Sequence, residues 1–494
     1  MYWIGYDIGS SSIKAALVHA NDGSVKAIAQ QPQQEMPIDS PKSGWAEQDP
    51  DLWWKHACNA SQELIKKHNI DKNQIKGVGI SYQMHGLVVV DKDLKPLRPS
   101  IIWCDSRAVE TGEALFNQVG QNKCVQHLLN SPSNFTLSKL KWVKDHEPEL
   151  FKSIHKFMLP GDYIALKLSG KCVTTPSGLS EGILWDFKEN ALATWLLEEA
   201  GIDPSLVSEI RPSFSEQGMV NKQGALESGL PEGIPIMYRA GDQPNNALSL
   251  NVMQPGQIAA TGGTSGVVYA ISDHEQTREH TRINSFAHTN HSASHPRIGK
   301  LLCINGTGIQ YSWIKNELTQ GLSYNDMNLK AESVPIGSND LQIIPFGNGA
   351  ERMLENKDKG SRILNLNFNQ HKAPHLFRAA LEGIAFSFVY GMEILKNDGV
   401  HITSIKAGND NLFQANIFAK TIATLTNSKI EIVETTGAVG AARAAALAFG
   451  DFKNMTEATA TDTIQHTYSP DASSEAYQEA YQKWKKELNS YLHN

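Results

Sequence analysis

The 494-residue sequence has no Cys-x-x-Cys pair, no long block of like charge and no long apolar run. Five cysteines (Cys58, Cys104, Cys124, Cys172, Cys303) are scattered and odd in number. They exclude a fully paired disulfide framework and read as reduced thiols of a cytoplasmic protein. Apolar stretches such as Leu87-Val88-Val89-Val90 are far too short to span a bilayer. The net charge is −7 with no basic block, which argues against a nucleic-acid groove. The N-terminal Met1-Tyr2-Trp3-Ile4 enters an expected strand directly, without the basic and apolar regions of a secretory signal. Both common phosphate loops are also missing. No Gly-x4-Gly-Lys-Ser/Thr loop runs into a helix, and no Gly-x-Gly-x-x-Gly opens one.

Two other glycine-and-hydroxyl turns are present, half a chain apart. The first is Asp7-Ile8-Gly9-Ser10-Ser11-Ser12, followed by apolar Ala15 to Val18. The second is Thr261-Gly262-Gly263-Thr264-Ser265-Gly266, followed by Val267 to Ala270. Each reads as strand, tight polar turn, strand. Glycine allows close backbone approach to an anion, and amides with Ser/Thr hydroxyls can cradle phosphate oxygens. The repetition suggests a duplicated nucleotide-binding fold closing on ATP from both sides. Asp7 adds a carboxylate beside the first turn, suited to Mg²⁺ through water.

At this length and with 40% hydrophobic residues, the chain can bury several cores. Asp49-Pro50 signals a helix start, with Trp53, Ala57, Ala60 and Leu64 as its buried stripe. Ile75 to Ser81 reads as a strand delivering Gln83-Met84-His85-Gly86. Ile101-Ile102-Trp103 reads as another, delivering Asp105-Ser106-Arg107. A strand ending at Gly241 delivers Asp242, Gln243 and Pro244 to a helix. This alternation predicts an α/β architecture with ligands beyond the strands' carboxyl ends. The domain boundary is placed near residue 250, giving units 1–250 and 251–494. Gly437 to Phe449 is a small-residue helix able to pack very close to a sheet. Tyr477, Tyr481, Trp484, Leu488 and Tyr491 mark a final amphipathic helix.

Taken in order, these pieces resemble the FGGY family of carbohydrate kinases, most of all its xylulokinases. The matching segments include Asp7 to Ser11, Trp45 to Pro50, Gln83 to Gly86, Ile102 to Arg107 and Leu159 to Tyr163. Gly241-Asp242-Gln243, Gly263 to Gly266 and Gly349 to Arg352 complete the set. Their joint order carries the resemblance, over nearly the whole chain. It implies two ribonuclease-H-like domains of the actin/hexokinase-like ATPase fold, with the active site in the cleft between them. It also implies ATP and Mg²⁺ as cofactors and a small-molecule sugar as partner. Homodimers occur in such a family.

Chemistry and resemblance together give the expected roles. A sugar hydroxyl attacking a γ-phosphate needs a base, and Asp242 stands at a strand end after a glycine that leaves room for substrate. Met84, His85, Asp242 and Gln243 match the family's sugar site, with Trp103 and Asp105 as further candidates. Gly9, Ser10 and Ser12 should face the phosphates with Gly263, Thr264 and Ser265, and Asp7 should hold Mg²⁺. Gly306 and Gln310 match the nucleotide-side segment. Gly408 and Asn409 occupy the usual adenosine turn, but that turn is altered here to Ala407-Gly408-Asn409-Asp410. Glu351-Arg352 reads as a structural ion pair. His288, His291 and His295 read as a solvated loop tip near the domain interface. The expected activity is ATP-dependent phosphorylation of a ketopentose, D-xylulose first. The alternatives are gluconate, L-xylulose, ribulose or glycerol as the sugar, or a non-catalytic nucleotide-gated sugar sensor.

Overall fold

A computed structural model describes residues 1–409 and 411–493; Asp410 of the altered adenosine turn lies outside the described residues. Two large sheets organise the chain, and their strands are numbered here in chain order. The first contains β1 (Tyr2–Ile8), β2 (Ile13–His19), β3 (Val25–Gln31), β4 (Ile75–Tyr82) and β5 (Ile236–Gly241). Its spatial order is β3-β2-β1-β4-β5. The β1/β2 and β2/β3 pairs are antiparallel, and the β1/β4 and β4/β5 pairs are parallel.

The second sheet contains β6 (Gln257–Gly262), β7 (Gly266–Ser272), β8 (Asn284–Ala287), β9 (Ile298–Ile304), β10 (Ser404–Gly408), β11 (Ile430–Val433) and β12 (Ile464–Tyr468). Its central order is β9-β7-β6-β10-β11, with β8 and β12 at the edges. Three antiparallel strands followed by two parallel ones repeat the first sheet's pattern. The duplication suggested by the two turns is thus present in the topology. Each turn joins the first two strands of its repeat.

Local sequence explains the main helices. In α1 (Pro50–Lys67), the Asp49 side chain accepts the Asp51 N–H at 2.9 Å, and Pro50 occupies the first turn. Its expected stripe of Trp53, Ala57, Ala60 and Leu64 is buried. A short α2 (Pro176–Glu181) is capped by the Thr175 hydroxyl. It is followed by α3 (Asp242–Ser249), α4 (Gly308–Leu318), α5 (Tyr324–Glu332) and the long, mostly buried α6 (Ala373–Asn397). α7 (Asn416–Thr426), α8 (Gly437–Phe449) and α9 (Ser474–His493) complete the principal set. The aromatic stripe of α9 packs into the second sheet's core, with the Trp484 indole N–H donating to the Ile343 carbonyl at 2.8 Å. The strand expected over Ile101-Ile102-Trp103 is shorter than expected. Only Ser100–Ile101 pairs, against Glu47–Gln48. No described helix is long and apolar enough to cross a membrane.

The small-residue helix α8 does pack against a sheet, and that sheet is the first one. Its alanines share a core with Trp3, Ala16, Val18, Tyr238 and Ala240. The approach leaves no room for side chains between backbones. A Cβ on Gly5 would overlap the Ala438 carbonyl, and one on Gly79 the Ala441 carbonyl. Replacing Gly5 by Ala is therefore expected to cost about 1–3 kcal/mol or more in overpacking. Urea unfolding of Gly5→Ala should show a lowered midpoint, and an unchanged midpoint would contradict this packing.

Candidate functional site

Strands β1, β4 and β5 run parallel and end together. In register, Asp7 pairs with Ser81, and Ser81 pairs with Ala240, two residues before Asp242. The carboxyl ends of the three strands therefore present Asp7, the Gln83-Met84-His85 segment and Asp242 along one edge. Two of these residues are carboxylates. The Ser81 hydroxyl donates to Asp7 Oδ1 at 2.9 Å, and among the described residues no ion pair involves Asp7 or Asp242.

Burial raises both carboxyls. For Asp7, burial acts against the Ser81 hydrogen bond and the charge of Lys14. Asp242 is pushed from 3.8 up to about 7, first by burial and then by the negative charge of Asp7, with Gln243 pulling the other way. Two buried acids, one of them raised further by the charge of the other, make a place where positive charge is welcome. The N-terminus of α8 closes on the same point, since a Cβ on Gly437 would lie 2.5 Å from Asp7 Oδ2. Hard oxygen donors in small number suit Mg²⁺, which keeps several waters and takes its remaining ligands from phosphates. Asp7 fits that role.

α3 links this edge to the second half. Asn245 Nδ2 donates to the Gly437 carbonyl at 2.9 Å, and Asn246 Nδ2 reaches Thr261 Oγ1 at 3.4 Å. Gly241 is required by close approach, because a Cβ there would lie 2.6 Å from both Met84 Cγ and Glu181 Oε2.

His85 has a left-handed backbone, φ 63°, unusual for a residue other than glycine. Three groups hold it there. The buried Lys139 Nζ donates to its carbonyl at 2.8 Å. Phe135 and Phe286 flank its ring at 4.7 and 5.3 Å. Its Nδ1 lies 3.0 Å from the Glu181 carbonyl, which can only accept, so Nδ1 carries the proton. Burial, then Lys139, lowers the imidazole to about 3, keeping it neutral. Nε2 is then left as an acceptor suited to a hydroxyl.

The two turns are built alike. The Gly9 N–H donates to the Ser12 carbonyl at 3.1 Å, and the Gly263 N–H to the Ser265 carbonyl at 3.1 Å. Both glycine amides are thus used within their turns, and Thr264 and Ser265 stay exposed. The buried Gln48 secures the first turn by donating to the Ser10 carbonyl at 2.8 Å. Trp103 is 53% exposed and its indole N–H reaches Ser10 Oγ at 3.2 Å, so it stands against the first turn, not in the core. Asp105 is placed differently. It is buried, ion-paired with Arg107, and accepts the Ala46 N–H at 2.6 Å.

Beside the second turn lies a cavity of about 540 Å³, lined by Gly262, Gly263, Thr264, Tyr311, Asn328 and Gln414 among others. That size is typical of a ligand pocket. Gly306 and Gln310 are not in its wall. The Gly306 amide instead donates to Glu351 Oε1 at 2.7 Å. Among the described residues neither Gly408 nor Asn409 lines it, and Asn409 is linked to it by Gln414, whose Nε2 donates to the Asn409 carbonyl at 3.2 Å.

Two further expectations change. Glu351 and Arg352 do not pair with each other. Glu351 accepts the amides of Asn305 and Gly306, while Arg352 donates to the His280 carbonyl at 2.9 Å. Glu351 is extended and Arg352 opens a 3₁₀ turn (Arg352–Leu354), and the change of backbone direction separates their side chains. His288 is buried, with Tyr269 Oη 3.1 Å from its Nδ1, and only His295 of the three is fully exposed. The base of the segment is tied just before β9, as the His288 N–H donates to the Arg297 carbonyl, while its tip from Ser292 to His295 is exposed.

Comparison with known proteins then decides the family. The model of the FGGY carbohydrate kinase N-terminal domain matches residues 2–249, and that of the C-terminal domain matches residues 258–449. The chain belongs to the FGGY family of carbohydrate kinases. This kinase is 28% identical to a xylulose kinase of Staphylococcus xylosus, over 98% of this chain and 99% of that one. It is 29% identical to a xylulose kinase of Bacillus subtilis, over 92% and 90% of the two chains. The crystal structure of xylulose kinase from Rhodospirillum rubrum superposes with a TM-score of 0.90 at 25% identity, covering all of both chains. The two-domain FGGY kinase fold is thereby shown.

Sequence reading missed Glu181, Lys139, Phe135 and Phe286. Lys139 lies in the helix Thr136–His146 and Phe135 just before it, with nothing local to mark them. Phe286 arrives from the other half of the chain on β8. None belongs to a periodic or motif signal.

The pKa of Asp242 sets a stability test. Its folded value of about 7 lies above the ordinary 3.8, so folding favours the protonated form. The stability this group contributes is complete below about pH 4 and is lost as pH rises through 7. Asp242→Asn is therefore expected to melt higher than the parent at pH 8 and equally at pH 4. Thermal unfolding at the two pH values checks this, and a lower melting point at pH 8 would contradict it.

Proposed function

We propose that this kinase transfers the γ-phosphoryl group of ATP to the terminal hydroxyl of a ketopentose, converting D-xylulose to D-xylulose 5-phosphate. The observation that carries the reading is Asp242. It stands at the carboxyl end of a central strand beside Asp7, with Met84, Gly241 and His85 around it, and its proton affinity is raised toward neutrality. A base poised near the operating pH accepts a proton most efficiently. The relatives named xylulose kinase, matched across nearly the whole chain, support the choice of sugar.

In this reading Met84 packs on the sugar's carbon skeleton. The neutral His85 accepts from a hydroxyl through Nε2, and Gln243 adds a further polar contact. Asp242 takes the proton from the attacking hydroxyl. Gly9, Ser10 and Ser12 face the phosphates from one side, and Gly263, Thr264 and Ser265 from the other. The nucleoside occupies the cavity beside Tyr311 and Gln414. Gly306, Gln310, Gly408 and Asn409 support its wall from behind. Asp7 would hold Mg²⁺, which when bound neutralises phosphate charge. The chain divides near residue 250, a reading supported by family-model limits at 249 and 258.

The test is ADP release with Mg-ATP across D-xylulose, L-xylulose, D-ribulose, L-ribulose, gluconate and glycerol. D-Xylulose is expected to give the largest kcat/KM. A different preferred sugar would replace the substrate. No response to any sugar would favour a sensor. Asp242→Asn is expected to lower kcat by about 10²–10⁴-fold, the usual worth of a general base, while nucleotide affinity by titration stays unchanged. In the parent enzyme, kcat/KM should fall about tenfold per pH unit below pH 7, because only ionised Asp242 accepts the proton. A flat profile from pH 5 to 8 would remove Asp242 from that role.

A further inference from the structure

Glu181 closes α2 directly behind the sugar-facing residues and is only 1% exposed. Neither of its carboxyl oxygens makes a well-formed hydrogen bond. The Tyr82 hydroxyl faces it without reaching good geometry and is itself unsatisfied. Among the described residues no lysine or arginine forms an ion pair with it. Its neighbours are the ones already assigned to substrate. Its Oε2 and Met84 Cγ each lie 2.6 Å from where a Gly241 side chain would start. Its backbone carbonyl fixes His85 Nδ1. Its helix is also tied to the second half of the chain, since the Ser180 hydroxyl accepts the Ala287 N–H at 2.8 Å, one residue from Phe286.

A buried carboxyl left without partners costs free energy, and such groups persist where they serve a site. We propose that the Glu181 carboxyl is a positioning residue of the sugar site. It acts as a buried hydrogen-bond donor that fixes Tyr82 and the Met84-His85 and Gly241-Asp242 segments beneath the substrate. The inference rests on the sugar-kinase reading above. Donation requires the neutral acid. Burial keeps Glu181 well above the usual carboxylate range against the opposing pull of the Tyr82 hydroxyl, and the negative charges of Asp242 and Asp162 act in the same direction as burial. The surrounding ionisable groups are Tyr82 on β4, Asp162 on the Pro160–Ser169 helix with its partner Arg239 on β5, Asp242 on α3 and Tyr269 on β7. None of these supplies an unpaired cation.

The experiment compares the full-length parent, Glu181→Gln and Glu181→Leu, using whichever sugar the parent phosphorylates best. Parent activity and its loss in Asp242→Asn test the kinase reading separately. Glu181→Gln keeps a donor without ionising. It is expected to stay within threefold of the parent in sugar KM, and to leave the acid limb of kcat/KM in place. Glu181→Leu is expected to raise sugar KM at least tenfold with the KM for ATP unchanged. Parent-like sugar KM in the Leu variant would overturn the proposal. So would a Gln variant as defective as Leu, or one whose acid limb moves to lower pH, which would show an ionised Glu181 acting by charge. Should the Leu variant fail to fold, the Gln variant's sugar KM and pH profile still decide.

Discussion

The structure depends on one close contact, the packing of an almost side-chain-free helix against an almost side-chain-free stretch of sheet. α8 comes from the end of the second family domain, yet lies on the first sheet. Its backbone meets that of β1 at Gly5 and of β4 at Gly79, and Gly440 lies against Ser249 of α3. These glycines carry no Cβ because there is no space for one. The result is a closely packed joint between a helix of the second family domain and the first sheet. The joint leads directly to chemistry, because the N-terminus of α8 lies against Asp7 while Asn245 of α3 holds the Gly437 carbonyl.

From that joint outward, the site is made by parallel strands ending at the same level. Asp7, the Gln83-to-His85 segment and Asp242 are far apart in sequence. The β1-β4-β5 register sets them side by side. Burial then does to their charges what isolated side chains would not undergo. The carboxyls gain proton affinity and the imidazole loses it. A poised base, a neutral acceptor and a carboxylate wanting a cation arise from one low-dielectric edge. The second sheet contributes Phe286 beside His85 and the Thr261 contact with Asn246. The surroundings of His85 and Asp242 are thus built from both halves of the molecule.

Much of this was legible in the residues. Two Gly/Ser/Thr turns half a chain apart announced the duplicated topology, because tight polar turns between apolar runs have few structural alternatives. Asp49-Pro50 placed the start of α1 and Tyr477 to Tyr491 the buried face of α9, since capping and helical periodicity are local. The Gly437 to Phe449 composition foretold close packing, though not against which sheet.

What the sequence alone determined was therefore local: turns, caps, periodic faces and the residue types able to hold phosphate, cation and proton. Tertiary structure alone decided who meets whom. It separated Glu351 from Arg352, buried His288 against Tyr269, turned Asp105 to the Ala46 amide and set Trp103 against the first turn. It also buried the Glu181 carboxyl beside Gly241 and Met84. The physical reason is that spacing along a chain encodes contacts within a turn or two. Burial, pKa and long-range hydrogen bonding depend on neighbours tens to hundreds of residues away, which arrive only when the sheets and α8 are in place.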